Sequence, residues 1–305
     1  MPPDAPPSWA ALIDGFIAHE RGVAGLADET LRHRHLHLRT FAHWWDATHP
    51  DRSPTTAMPA DLAAFLVTEA DRGLSAYSRR AELVALRRFF AWQRLTGRVD
   101  HDPTEGLEAP SPTPRAIEVY APADVVAILD HTSALRDVRG RIRHAIVATL
   151  RYTGMRSGEL RSLRLDRLDL DARQARVIGK GGRPRTVVLP EPAVAVLDAF
   201  LTDIRPDLPA SPLLLSNPAP QVTTPHRGFS HEAVYREVEL AGQGARVPGR
   251  HFPHRWRHTF ATELVRAGVD IHVVQRLLGH TTIHATVGYT HLVIDDLHRS
   301  LEGMW

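Results

Sequence analysis

Residues Ala109–Pro122 read APSPTPRAIEVYAP, and this stretch divides the chain. Its prolines remove backbone donors and turn the residues before them away from helical geometry, and its apolar residues follow no period, so it reads as an extended linker. At 305 residues the chain is long enough for two domains, because single hydrophobic cores stop growing near ~250 residues. Working outward from the linker, we expect an N-terminal helical domain over residues 1–109, a linker over 110–121 and a second domain over 122–305, with a C-terminal tail from about residue 292.

Toward the N-terminus, Ser8 can cap a helix whose Trp9, Leu12, Ile13, Phe16 and Ile17 repeat at the spacing of one buried helical face. A second helical pattern carries Leu31, Leu38, Phe41 and Trp45, a third Leu62, Phe65 and Leu66, and a fourth, from about Ser75 to Thr96, Leu83, Leu86 and Phe90. Together they predict a small four-helix domain. On the fourth, Arg80, Arg87 and Arg94 recur every seven residues and so form one stripe, either a solvated face or a row of DNA phosphate contacts.

Toward the C-terminus, helical patterns cover roughly 122–130, 137–153, 191–204, 229–241, 254–267 and 270–278. Between them lie strand candidates at Leu163–Leu165, Ala175–Ile178 and Thr186–Leu189, the last two joined by KGGRPR, so the second domain reads as α+β. The expected fold is mainly α with a small antiparallel β-sheet.

Composition narrows the function classes. Hydrophobic residues make up 43% and charged residues 24%, ordinary for a soluble globular protein, and no apolar run approaches the roughly 18 residues of a membrane span. The opening MPPDAPPSWA has neither a basic nor an apolar export region, so a cytoplasmic location is expected. The absence of cysteine excludes disulfides, thiolate metal sites and a cysteine nucleophile. Net charge is only +2, but residues 131–190 hold fourteen Arg/Lys against five Asp/Glu, a candidate polyanion surface. A zinc site at His33, His35 and His37 is disfavoured, because residues two apart on a helix point in different directions.

Of the 37 basic residues, Lys180 in VIGKGGRPR is the sole lysine. Arg156 in TGMRSGEL, His254 and Arg257 in FPHRWRHTFAT, and His280 and Tyr289 in LLGHTTIHATVGYTHL complete a set suited to an anionic phosphoryl centre. Paired guanidinium groups can hydrogen-bond non-bridging phosphate oxygens and stabilise the charge of a five-coordinate transition state. A lysine, unlike an arginine, has a proton affinity that neighbouring cations can lower until it protonates a departing alkoxide. Tyr289 is the remaining candidate nucleophile; its phenol would form a covalent phosphotyrosine that conserves bond energy, so neither ATP nor another cofactor, nor a metal, is called for. Arg183 and Arg185, beside the lysine hairpin, are candidate DNA contacts.

These motifs, in this order, resemble the tyrosine recombinase or phage-type integrase family, strongly over about 120–291 and more weakly over the N-terminal helices, which look like its core-binding domain. The resemblance implies that Arg156 and Arg257 hold the scissile phosphate and Lys180 protonates the leaving 5′ oxygen. It further implies that His254 takes the general base/acid position, that His280 donates to the phosphate, and that Tyr289 forms the 3′-phosphotyrosyl link. Trp256 stands where the family commonly has leucine. The resemblance also implies double-stranded DNA as partner, with four protomers assembled on paired sites to integrate, excise or resolve DNA through a Holliday junction. Ile294, Leu297, Leu301 and Trp305 make an apolar seam on the tail, which in the family docks on a neighbouring subunit; folding back on its own domain is the alternative. A type IB topoisomerase-like relaxing enzyme and a catalytically silent DNA-binding regulator are the competing readings.

Overall fold

The computed structural model describes residues 8–26, 28–111, 117–179, 182–208, 214–215, 228–279, 286, 288 and 289. The chain forms two compact units, Met1–Arg115 and Ala116–Trp305.

The first unit is helical: α1 (Trp9–Gly22), α2 (Asp28–Thr48), α3 (Pro59–Asp71) and α4 (Ala76–Leu95). Ser8 caps α1 by accepting from the Ala11 amide at 3.3 Å, and Ser75 caps α4 through the Ser78 amide at 3.2 Å. The apolar stripes meet in a core dominated by aromatic rings, with Phe16, Phe41, Trp45, Phe65, Phe89 and Phe90 fully buried. Phe41 and Phe65 pack edge to face with centroids 5.1 Å apart, a geometry that adds to the burial of both rings. Among the histidines of α2, His33 faces Glu29, His35 faces Asp14 and His37 faces Glu82, three different carboxylates.

The second unit is built on α6 (Val138–Thr153), buried along most of its length and packed against α5 (Pro122–Ser133), α8 (Glu191–Asp203), α9 (His231–Gly244) and α10 (Pro253–Arg266). The short α7 (Ser157–Arg161) follows α6, and α11 (Ile271–Leu278) follows α10. Three strands, β1 (Leu168–Asp169), β2 (Gln174–Ile178) and β3 (Pro184–Val188), form an antiparallel sheet in the order β1-β2-β3. The first strand lies further along the chain than the expected Leu163–Leu165. The Leu163 carbonyl accepts instead from the Leu214 amide at 2.8 Å, and Leu165–Arg167 coil into a 3-10 turn, so this segment's backbone groups are not offered to a ladder.

In the β2–β3 pairing, Ala175 opposes Val187 and Val177 opposes Arg185. Ala175, Val177 and Val187 are buried, so Arg185, in phase with Val187, lies on the inward face of the hairpin, while Arg183 is exposed. No described helix is long and apolar enough to cross a membrane. The tail from residue 292 lies outside the described residues.

Candidate active site

The site begins where α6 ends. Gly154 adopts a left-handed φ of 60° as the α6 C-cap, and a β-carbon there would stand 2.4 Å from the Phe260 ring on α10. Only glycine permits both the turn and this approach. Two residues later Arg156 is the N-cap of α7, its amide donating to Glu159 Oε2 at 2.8 Å and its guanidinium to Glu159 Oε1 at 3.1 Å. Arg185 reaches the same buried carboxylate from β3, with Nε on Oε1 at 2.9 Å and Nη2 on Oε2 at 2.8 Å. Burial pushes the Glu159 carboxyl up, but the bonds from Arg185 and the charge of both arginines hold it below the ordinary range.

The last carbonyls of a helix lack internal partners and carry the negative end of its dipole. At the end of α11 these carbonyls receive three guanidinium groups. Arg185 donates to Leu277 O at 2.8 Å, Arg257 to Leu278 O at 2.5 Å and Arg156 to Gly279 O at 3.2 Å. Gly279 closes the helix with φ of 62°, and a β-carbon there would meet Arg185 Cδ at 2.5 Å. The carbonyls of Leu277, Leu278 and Gly279 thus form a three-arginine socket.

Arg257, 2% exposed, also donates to Gly154 O at 2.6 Å, so one guanidinium ties the end of α6 to the end of α11. Its burial and the Arg156 charge lower its pKa to about 9, with Glu159 pulling the other way; it remains a cation at neutral pH.

Tyr289 is buried in a small apolar cluster with Ala261, Val274 and Leu278, flanked by Ile117, Phe260 and Leu264. Burial raises its pKa, and the Arg257 and Arg156 charges oppose that rise, which places the phenol in the field of both guanidinium groups. Its hydroxyl lies 3.0 Å from His258 Nδ1. His254, one turn earlier on α10, reaches solvent with its ring centroid 6.2 Å from that of His258. The protein packed around it, together with Arg257 and Arg156, keeps its pKa below the ordinary imidazole value.

The structure therefore brings Arg156, Arg257, His254 and Tyr289 together. Lys180 and His280 lie outside the described residues. Of the expected DNA contacts, Arg183 is exposed on the hairpin, and Arg80 and Arg94 are exposed on α4. Arg87 is partly turned away, donating to Leu107 O. Arg185 donates to both oxygens of Glu159 and to Leu277 O, because its place on the inward face of β3 directs it into the socket.

Sequence reasoning passed over Glu159 and His258. Glu159 stands three residues after the N-cap, the spacing of a capping carboxylate, and His258 is four residues after His254, hence on the same helix side. Trp256, unusual for the motif, is fully buried against Tyr120 with centroids 4.4 Å apart. Arg255 faces the same side, its guanidinium 4.0 Å from the Tyr120 ring centroid and donating to Val119 O at 3.2 Å. Alternation of Arg255 and Trp256 with the site residues follows from the helical turn: one side of α10 packs, the other presents chemistry.

Known proteins share both units. The phage integrase family matches residues 119–294, and the N-terminal SAM-like domain of phage integrases matches residues 13–97. Tyrosine recombinase XerD of Yersinia pestis is 33% identical over 293 residues, covering 94% of this chain and 95% of the relative. XerD of Listeria monocytogenes (serotype 4b, strain F2365) is 29% identical over 281 residues, covering 92% and 94%. Among solved structures, XerH recombinase in a post-cleavage complex with palindromic difH substrate superposes with a TM-score of 0.73 at 20% identity, covering 96% of this chain and 84% of that one. A lambda integrase tetramer bound to a Holliday junction gives 0.71 at 15% identity, covering 94% and 78%.

A helical N-terminal unit followed by an α+β unit that sets a phenol among arginines defines a tyrosine-type site-specific recombinase. The chain belongs to the phage integrase family.

Proposed function

We propose that this recombinase cuts and rejoins double-stranded DNA through a 3′-phosphotyrosine at Tyr289, with Arg156 and Arg257 holding the scissile phosphate. The carrying observation is that a buried phenol lies in the field of both guanidinium groups, and that backbone carbonyls hold those groups in place before any substrate arrives. In the forward step the Tyr289 oxygen bonds to phosphorus and the bond to the 5′ oxygen breaks. The phenolic proton leaves to the His254 position, and Lys180 protonates the departing 5′ oxygen. His280 donates to a non-bridging oxygen. Rejoining is the reverse with a different 5′ end, so no ATP enters.

In this reading the N-terminal unit clamps DNA as a core-binding domain, with Arg80 and Arg94 on exposed α4 positions and Arg183 on the hairpin as phosphate contacts. Protomers act as a tetramer on paired sites, in the cytoplasm. Support for assembly comes from the similar lambda integrase, solved as a tetramer on a Holliday junction.

The test uses nicked duplexes carrying sites selected from a random library by binding. Wild type should leave a covalent protein–DNA band on a denaturing gel, and Tyr289→Phe should bind the same duplex and leave none. A band of wild-type intensity from Tyr289→Phe removes the nucleophile assignment. Relaxation of supercoiled plasmid lacking any selected site would favour the topoisomerase-like reading instead.

A further inference from the structure

The expected imidazole at the nucleophile is His254, yet the ring that reaches the hydroxyl is His258. We propose that His258 is the positioning residue for Tyr289: its Nδ1 accepts the phenolic hydrogen bond and so turns the oxygen lone pairs toward the phosphate. This inference rests on the reading of Tyr289 as nucleophile.

Three observations carry it. The Nδ1-to-hydroxyl distance is 3.0 Å, with the two rings 5.7 Å apart between centroids and inclined by 50°, within ordinary hydrogen-bond reach. The Tyr289 ring itself packs against apolar side chains, among them Ala261, Val274 and Leu278. They can hold the ring but cannot choose the rotation of its hydroxyl. Finally, Arg156 and Arg257 act on the phenol oxygen as positive charges, so the hydroxyl proton turns away from them and toward an acceptor.

The protonation state of His258 agrees with an accepting Nδ1. Burial, then His254 and Arg257, lower its pKa to about 4, so the ring is neutral at neutral pH, with its hydrogen on Nε2 in this arrangement. So weak a base orients the proton rather than keeping it. Release of that proton during attack stays with the His254 position.

The experiment compares His258→Leu with His258→Asn in the full chain. Asparagine Oδ1 stands near the place of Nδ1 and accepts a hydrogen bond, but it cannot take up a proton. DNA affinity should be unchanged in both. Single-turnover formation of the covalent adduct should slow by about 10- to 100-fold in His258→Leu, the scale of a misaimed reacting group, and recover most of that loss in His258→Asn. Wild-type speed in His258→Leu overturns the proposal, as does His258→Asn being as slow as His258→Leu while binding DNA normally. Should either variant fail to fold, nitrogen-15 spectra of the histidines decide the matter. In wild type, His258 Nδ1 should be the unprotonated nitrogen and should shift in Tyr289→Phe; a hydrogen on Nδ1, or no shift, overturns the proposal. An adduct formed by Tyr289→Phe would sink the nucleophile reading itself. A silent Tyr289→Phe beside a full-speed His258→Leu would sink this inference alone.

Discussion

Glu20 and Glu159 are buried glutamates in different units, each held by two arginines. Glu20, on α1, is paired with Arg34 of α2 and Arg88 of α4, so one carboxylate draws three helices together. Glu159, on α7, is paired with Arg156 beside it and Arg185 of β3. The devices diverge in what their arginines do next. Those of Glu20 join helices α1, α2 and α4, whereas those of Glu159 continue to the carbonyls that end α11, and Arg156 also acts on Tyr289. A buried ion cluster thus joins helices in the first unit and fixes the arginines beside Tyr289 in the second.

The largest effect expected from this contrast is on ring packing. Phe41, fully buried and in contact with Trp9, Trp44, Trp45, Phe65 and Phe90, should cost about 3–5 kcal/mol on replacement by alanine. Chemical denaturation followed by tryptophan fluorescence measures it. A loss below about 1 kcal/mol would mean that rings do not dominate this core.

Next come the two glutamates. Glu20→Gln and Glu159→Gln each remove the charge from a carboxylate facing two cations and should each lower stability by about 1–3 kcal/mol. Only Glu159→Gln should also slow adduct formation on DNA bound equally well, because only its arginines continue into the site. Equal slowing by Glu20→Gln would erase the distinction.

The smallest effect is a dependence on pH. His258 falls from an ordinary 6.5 to about 4 in the folded chain. Between those values the unfolded state binds the extra proton, so stability falls as pH falls from 6.5 toward 4. His258→Asn should lose less melting temperature between pH 7 and pH 4.5 than wild type does, with Tm read calorimetrically at each pH. An identical loss in the two proteins would show that this imidazole is not held neutral by the fold.

Much of this arrangement was legible beforehand. Trp9, Leu12, Ile13 and Phe16 are buried as their spacing requires, because water imposes the helical period on whichever residues avoid it. The hairpin and the helix expected over 254–267, observed as α10 from Pro253 to Arg266, are equally plain. The first strand lies elsewhere because Leu163 gives its carbonyl to Leu214, 51 residues later, which no local pattern announces. On sequence alone Arg185 reads as a phosphate contact, because charge on a hairpin ordinarily faces solvent. Its phase with Val187 pointed inward, but an inward guanidinium is tolerable only opposite a carboxylate, and Glu159 lies 26 residues away. His258 was overlooked for a related reason: its partner hydroxyl is 31 residues distant.

What the sequence determined by itself is a division into two units, the buried faces of the N-terminal helices and a chemically coherent set of arginines, histidines and a tyrosine. Those properties rest on local period and side-chain chemistry. Which arginines meet the carbonyls closing α6 and α11 and which brace the first unit, and which imidazole meets the phenol, only the tertiary structure decided. The reason is that the acceptors sorting them, the carbonyls closing α6 and α11 and the carboxylate of Glu159, converge only when distant segments pack together.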